Sequence, residues 1–374
     1  MSKKTKSKKD KHSILKAANT VAIAIIVLSF LAILFRSIIL HNWSNFFGLL
    51  LDYLFIGLAV MLCINIHEFG HFVLGRLLGY QLFSYRILFL TWLNKNGKIK
   101  FSVRENKGFG GSCAMMPPEE KLPYYKHGLY YAGGIIFNIL SALIFMIPGA
   151  VLHHPFGSMN SFPRSFILIS LLLGAFNLLP LTAGGRPSDG KMVWGFLLKK
   201  PYVEKYMGSR KAANQLSSGT RPNSLQLPVS PDTAKPGKID MTLMLYRYFQ
   251  ALDSDDTAEA IDRAKTFEKN LHAFPLRLRT AVYYELCFIG CITEDKTKAE
   301  LYYNKARKTL EKDMDDDGLR VKAYYAYYVN HNSTAALHLC ESVAEVCEKC
   351  PMEGQAMMEK DLAVKLKNII SAEA

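Results

Sequence analysis

The chain has 374 residues, half of them hydrophobic, and a formal net charge of +14. Long apolar runs crowd roughly the first 200 positions and the remainder has the make-up of a soluble protein, which excludes one uniformly water-soluble domain and points to a membrane half followed by a soluble half. No nucleic-acid motif accompanies the basic excess, so an anionic membrane surface is its expected counterpart and no nucleic-acid partner is expected.

Residues 1–18 open with MSKKTKSKKDKH, a lysine cluster of the kind that marks a cytoplasmic end ahead of an apolar stretch. The stretch 19–40, from Asn19 to Leu40, predicts an extra transmembrane anchor. It is longer than a signal-peptide core, and no small-residue cleavage site follows it. A second apolar segment starts near Phe46 and runs through INIHEFGHFVLG towards Tyr80. A helix from Phe46 to His67 rises about 32 Å, which brings His67 towards the inner membrane boundary. Leu129 to Leu152 and Phe166 to Leu181 predict two further spans, and Met192 to Leu198 a partial or interfacial helix.

With the N-terminus inside, the loop from Tyr80 to His127 is cytoplasmic. It carries Lys95, Lys98, Lys100, Arg104, Lys107, Lys121 and Lys126, whereas the outer loop HHPFGSMNSFPR has a single Arg. Within the inner loop, YRILFLTWL and KIKFSVRE flank NKNG and predict a β-hairpin, with GFGGS and MMPPEE as breakers. A hairpin beside a membrane site can hold an extended peptide by strand addition.

Residues 208–238 are rich in Ser, Pro, Asn and Gly and read as a linker. Residues 239–374 are helical in pattern. AEAIDRA, AELYYNKA and AALHLCES recur from Ala258, Ala299 and Ala335, loosely in the manner of tetratricopeptide helix pairs. The fold class expected is therefore an α-helical integral membrane protein of about four transmembrane helices with a small cytoplasmic β-hairpin, plus a C-terminal all-α, tetratricopeptide-like soluble domain. The seven cysteines lack disulfide-framework spacing and read as reduced thiols. DMDDDG begins like an EF-hand loop but puts Tyr324 where a bidentate Glu is needed, and Cys347-x-x-Cys350 has no second pair with zinc-site spacing.

The chemistry is carried by HEFGH. His67 and His71, four apart on a helix, share one face and can bind one ion; Glu68 can reach that ion's water. Zinc lowers the pKa of such a water to about 7, and a carboxylate can take its proton. Two His and a Glu inside a membrane segment are costly to bury and mark function. A third protein ligand is required, and Asp189 in NLLPLTAGGRPSDGK lies at the same predicted depth; taken alone it also reads as an exposed turn aspartate before Gly190. Asn138 and Asn177 are amides in apolar helices, suited to helix packing or to active-site support, and Gly133-Gly134 permits close helix approach.

At these residues the chain resembles the site-2 protease family of intramembrane zinc metalloproteases. That family has three core helices, with H-E-x-x-H on the first, often G-P-x-x-N on the second, and N-x-x-P followed by Asp-Gly on the third. Here these are His67 to His71; Gly134, Ile135 (in the proline place) and Asn138; and Asn177, Pro180, Asp189 and Gly190. The resemblance spans Phe46 to Leu198, and the metalloprotease core is set at 46–198. TAGGRPS lengthens the usual N-x-x-P to Asp-Gly spacing, and Ser188 stands where Leu is common. The resemblance implies peptide-bond hydrolysis within or beside a membrane. It implies one Zn2+ per chain on His67, His71 and Asp189, Glu68 as general base, and Asn138 and Asn177 as supporting residues. The expected substrate is a membrane protein or peptide. The expected location is a bacterial plasma membrane, spanned several times, with the N-terminus and the helical domain in the cytoplasm and a protein partner for that domain. The alternative is a catalytically silent scaffold that recruits a partner through its C-terminal helices.

Overall fold

The computed structural model describes residues 43–95, 98–103, 110–118, 122–151, 161–183, 186–228, 236–275, 278–348, 350 and 352–373. The expected anchor at 19–40 and the outer-loop histidines His153 and His154 lie outside these. The described residues divide into two compact units. One runs to Ile66 and includes Phe137–Gly174; the other comprises His67–Ile136 and the chain from Ala175 onward.

The first unit is apolar helix throughout. Helix α1 (Trp43–Leu77) contributes its first two thirds, α2 (Tyr124–Val151) its later part and α3 (Ser161–Leu178) most of its length. Ala59, Cys63 and Phe166 form a small buried core, flanked by Phe145 and Phe162. Around it Leu50, Leu54, Leu58, Leu143, Ile144 and Leu172 face outward. A helix apolar on all sides yet exposed is matched to lipid rather than water. Leu50–Leu77 and Tyr124–Ile147 are long and apolar enough to cross a membrane; Phe162–Leu178 is shorter. Among the described residues two helices thus meet this length, where the sequence led to three spans in this part of the chain: the helix expected at Phe166 to Leu181 begins earlier, ends at Leu178, and does not reach the roughly 20 apolar residues of a full span.

In the second unit, α1 ends in a Schellman motif. Gly79 takes a left-handed φ of 82°, Tyr80 N–H donates to the Gly75 carbonyl and Gly79 N–H to that of Arg76. The chain then enters an antiparallel sheet of β1 (Gln81–Ile87), β2 (Leu90–Lys95), β3 (Lys98–Val103) and β4 (Gly111–Met116), in the order β3-β2-β1-β4. The expected hairpin is present as the antiparallel pair β2 and β3, but it belongs to a larger, four-stranded sheet. YRILFLTWL is not one strand, because Leu88 adopts φ 51° and reverses the chain between β1 and β2. Part of the predicted GFGGS break instead forms β4, an edge strand paired to β1. Tyr85, Trp92 and Phe101 stand in register across three strands, with centroids 6.2 and 5.6 Å apart.

After α3 come two two-residue strands, β5 (Thr182–Ala183) and β6 (Arg186–Pro187), then α4 (Asp189–Leu197) and α5 (Pro201–Ser217). Residues 208–217 were expected in a linker but form the second half of α5. Its Ala212 and Leu216 pack with Leu225 into a buried cluster, and Arg221 binds both Asp253 and Asp361, so this polar stretch is anchored rather than free. The remaining helices are α6 (Lys238–Asp253), α7 (Thr257–Lys269), α8 (Arg279–Ile292), α9 (Lys296–Leu310), α10 (Asp316–Tyr328), α11 (Ser333–Cys347) and α12 (Glu353–Glu373), packed round one continuous core.

Three of these helices start alike. Asp256, Asp295 and Asn332 cap α7, α9 and α11 by accepting the N–H three residues on, and each follows a residue of left-handed φ: Asp255, Glu294 and His331. The recurring alanine segments are the first turns of these helices. The three caps are spaced 39 and 37 residues apart, so the repeats are helical hairpins of unequal length. All seven cysteines are unpaired.

Candidate metal centre

His67, Glu68 and His71 lie on the late turns of α1, and Asp189 is the first residue of α4. The i, i+4 spacing sets the two imidazoles on one face, with ring centroids 4.9 Å apart. Their Nε2 atoms are 3.3 Å apart. Asp189 Oδ2 lies 2.9 Å from His67 Nε2 and 3.3 Å from His71 Nε2. Three donor atoms thus form a nearly equilateral triangle. A tetrahedral zinc site with bonds of about 2.0–2.1 Å has edges of about 3.3 Å, so the donor set and its spacing fit that ion. Both imidazoles are buried, and among the described residues no other three His, Cys, Asp or Glu side chains converge this way.

Each donor is held from behind. His71 Nδ1 donates to the Tyr130 carbonyl at 2.9 Å, which fixes the tautomer and leaves Nε2 with its lone pair. Gly134 lies against the His67 ring, where an added Cβ would come within 2.5 Å of Nε2; at Gly133 one would meet the Gly70 carbonyl oxygen at 2.5 Å. The Gly-Gly pair is therefore what lets α2 approach α1 at the centre.

Asp189 is delivered by a short construction. The extra residues of TAGGRPS are taken up by the β5–β6 ladder, Thr182 opposite Pro187 and Ala183 opposite Arg186, so the lengthened segment closes on itself. Ser188 closes its base: its N–H donates to the Leu181 carbonyl at 3.0 Å, and its Oγ donates to the Leu179 carbonyl at 2.6 Å. The same Oγ accepts from Lys191 N–H as the N-cap of α4 and from Leu181 N–H. Gly190 lies directly on the Leu178 carbonyl, where a Cβ would overlap at 2.0 Å. Burial resists charge on Asp189, but the neighbouring His71 and bonds from both imidazoles hold its carboxyl well below the usual range.

Glu68 Oε2 accepts the backbone N–H of Cys113 at 2.7 Å, and the Tyr130 hydroxyl donates to the Cys113 carbonyl at 3.2 Å. Both Cys113 backbone groups are thus turned away from β1, towards α1 and α2. Burial and the adjacent Glu68 carboxylate push the Cys113 thiol up, keeping it neutral.

The structure therefore brings His67, His71 and Asp189 together, with Glu68 beside them. Asn138 is fully buried in the apolar helical unit, where its backbone carbonyl accepts from Ser141 Oγ and Ser170 Oγ, each at 2.9 Å. Asn177 lies in the other unit, its backbone carbonyl packed against Gly190. Cys113 and Tyr130 escaped sequence reasoning because their bonds to Glu68 and His71 come from backbone groups; Ser188 was readable as an N-cap before Asp-Gly.

Residues 55–156 match the model of Peptidase family M50. This stretch is a family M50 (site-2 protease) domain. The match includes His67, Glu68 and His71 and ends before Asp189, so the placing of Asp189 rests on the geometry above. A domain of M50, a membrane-embedded and typically zinc-dependent family, over these residues suggests peptidase activity. No curated relative and no solved structure matches the chain.

Proposed function

We propose that this protein is an intramembrane zinc metalloprotease that cleaves peptide bonds of membrane-embedded or membrane-associated substrates. The observation that carries this is the triangle of His67 Nε2, His71 Nε2 and Asp189 Oδ2 with Glu68 beside it, built on a family M50 segment. His67, His71 and Asp189 would hold one zinc ion. When bound, it supplies the positive charge that acidifies a water and polarises a carbonyl.

Glu68 takes the proton of the attacking water and returns it to the leaving amine. The Cys113 N–H steadies its carboxylate for that exchange. Helical substrates resist cleavage because their amides are bonded internally. The edge strand β4 lies beside Glu68, with the Cys113 N–H and carbonyl already bonded to Glu68 and Tyr130, so a substrate peptide held extended next to the sheet meets the base with its backbone exposed. We place the N-terminus and the helical domain in the cytoplasm, that domain serving to dock substrate or partner.

The test is Glu68→Gln in full-length protein. About one zinc per chain should remain, while cleavage of a single-pass substrate found by comparative membrane proteomics is lost. Undiminished turnover would overturn the mechanism. Absence of zinc from wild type would favour a silent scaffold.

A further inference from the structure

The loop that delivers Asp189 also forms one wall of an open groove of about 660 Å³. Leu178 and Leu179 line one side, Trp194 and Leu198 the other, and among the described residues its charged lining is Lys191 and Lys200. That volume is in the range of small-molecule sites. The groove is built: Trp194 Nε1 donates to the Leu178 carbonyl at 3.2 Å, tying one wall to the other. Lys191 Nζ donates to Thr182 Oγ1 at 2.6 Å and stands 5.5 Å from the centre of the Tyr202 ring, so its ammonium is held in place.

Its setting decides the ligand. Leu178 is the last residue of α3, an apolar helix, and Leu179, Leu181, Leu197 and Leu198 continue an exposed apolar surface beyond it. Trp194 is 44 % exposed among them. Exposed leucines bordered by a tryptophan and lysines mark the level where acyl chains give way to headgroups. Water would not favour so much bare hydrocarbon, and a neutral hydrocarbon ligand would not use the two ammonium groups. Cations beside apolar helix ends bind phosphate headgroups. Charge and shape together call for one molecule that carries an acyl chain and a negative head.

We infer that this groove is a binding site for an anionic phospholipid of the surrounding bilayer, its acyl chain between the Leu178–Leu179 and Trp194–Leu198 walls and its phosphate at Lys191 and Lys200. Lys191 and Trp194 lie on the first two turns of the helix that begins at Asp189, so the lipid braces the element that carries this carboxylate. The site stands on its own observations and does not depend on the chemistry of the metal centre.

The experiment is native mass spectrometry of the full-length chain after exchange in micelles holding equal amounts of phosphatidylglycerol and phosphatidylcholine. Two lysines should give roughly thirtyfold preference for phosphatidylglycerol, with one molecule retained. The double variant Lys191→Gln, Lys200→Gln should bring the two lipids near parity, and the Lys→Arg pair should keep the preference, which separates lost charge from lost fold. Trp194→Ala should weaken retention of both lipids alike. Equal retention by wild type, or an undiminished preference in the glutamine variant, would overturn the site. So would displacement of the lipid by a single-pass substrate peptide that shields Trp194, which would assign the groove to substrate.

Discussion

The backbone N–H of Cys113 reaches Oε2 of Glu68 at 2.7 Å, so the edge of a β-sheet, not a side chain, sets the position of the proposed base. Because the bond is from the main chain, Cys113→Ala should keep proteolysis within about twofold of wild type. Cys113→Pro removes the donor and costs no ladder bond, since this N–H points away from β1. A hydrogen bond to a charged group contributes about 1.5–3 kcal/mol, so the proline variant should lose roughly tenfold or more in kcat while retaining zinc. Steady-state cleavage of a reconstituted substrate measures it; equal rates for the two variants would refute the role given to the edge.

Gly134→Ala tests the cradle. The added carbon would sit 2.5 Å from both Cε1 and Nε2 of His67, so the imidazole must turn out of the triangle. Loss of a supporting contact to a ligand costs about 10–100-fold in metal affinity, and a clash with the ring itself should cost no less. Zinc content by elemental analysis should fall well below one per chain while circular dichroism keeps the helical signal. Full zinc occupancy at low free metal would show that the ring has room to move.

How far this architecture is legible in the sequence can be judged residue by residue. HEFGH offered its two candidate ligands, His67 and His71, through their spacing, since a helix of 3.6 residues per turn leaves them no choice of face. Asp189 was harder, because a longer loop could have left it anywhere. Its arrival depends on Thr182 pairing with Pro187 and on the Ser188 hydroxyl, local bonds that composition does not reveal. The sheet was misread where Leu88, a residue that disfavours left-handed backbone, adopts φ 51° and splits one apolar run into two strands. The stretch read as a linker was polar on average, yet a few apolar residues such as Leu216 and Leu225, with one arginine, anchor it.

Ser188→Ala should loosen Asp189 without removing it. The change deletes the N-cap of α4 and the bond to the Leu179 carbonyl together. An N-cap is worth about 1 kcal/mol, which corresponds to zinc release about fivefold faster in a chelator competition. Ser188→Thr should restore most of the difference, since its hydroxyl caps in the same way. Identical release from all three proteins would mean that β5 and β6 alone hold the loop.

The helical domain buries one guanidinium between two carboxylates, and that count sets its response to pH. Arg320 Nη2 donates to both oxygens of Glu285 at 2.8 and 3.0 Å, the Tyr248 hydroxyl adds a bond at 3.0 Å, and Arg320 Nε donates to Glu359. Arg320 also lies 4.4 Å from the Phe288 ring centre. Burial, against the pull of Arg320 and with Glu285 adding to it, pushes Glu359 up to about 8. The folded protein therefore holds a proton on Glu359 more tightly than the unfolded chain, where this group ionises near the ordinary carboxylate value. A raised folded pKa stabilises fully below the unfolded value, and that stabilisation is lost as pH rises through about 8. The melting temperature of the helical domain in the full-length protein should accordingly fall between pH 6 and pH 9, both within roughly two units of that value. Glu359→Gln keeps an acceptor for Arg320 and has no proton to lose, so its melting temperature should be flatter across this range and exceed that of wild type at the alkaline end. Parallel curves for the two proteins would mean that Glu359 is ionised in the folded domain.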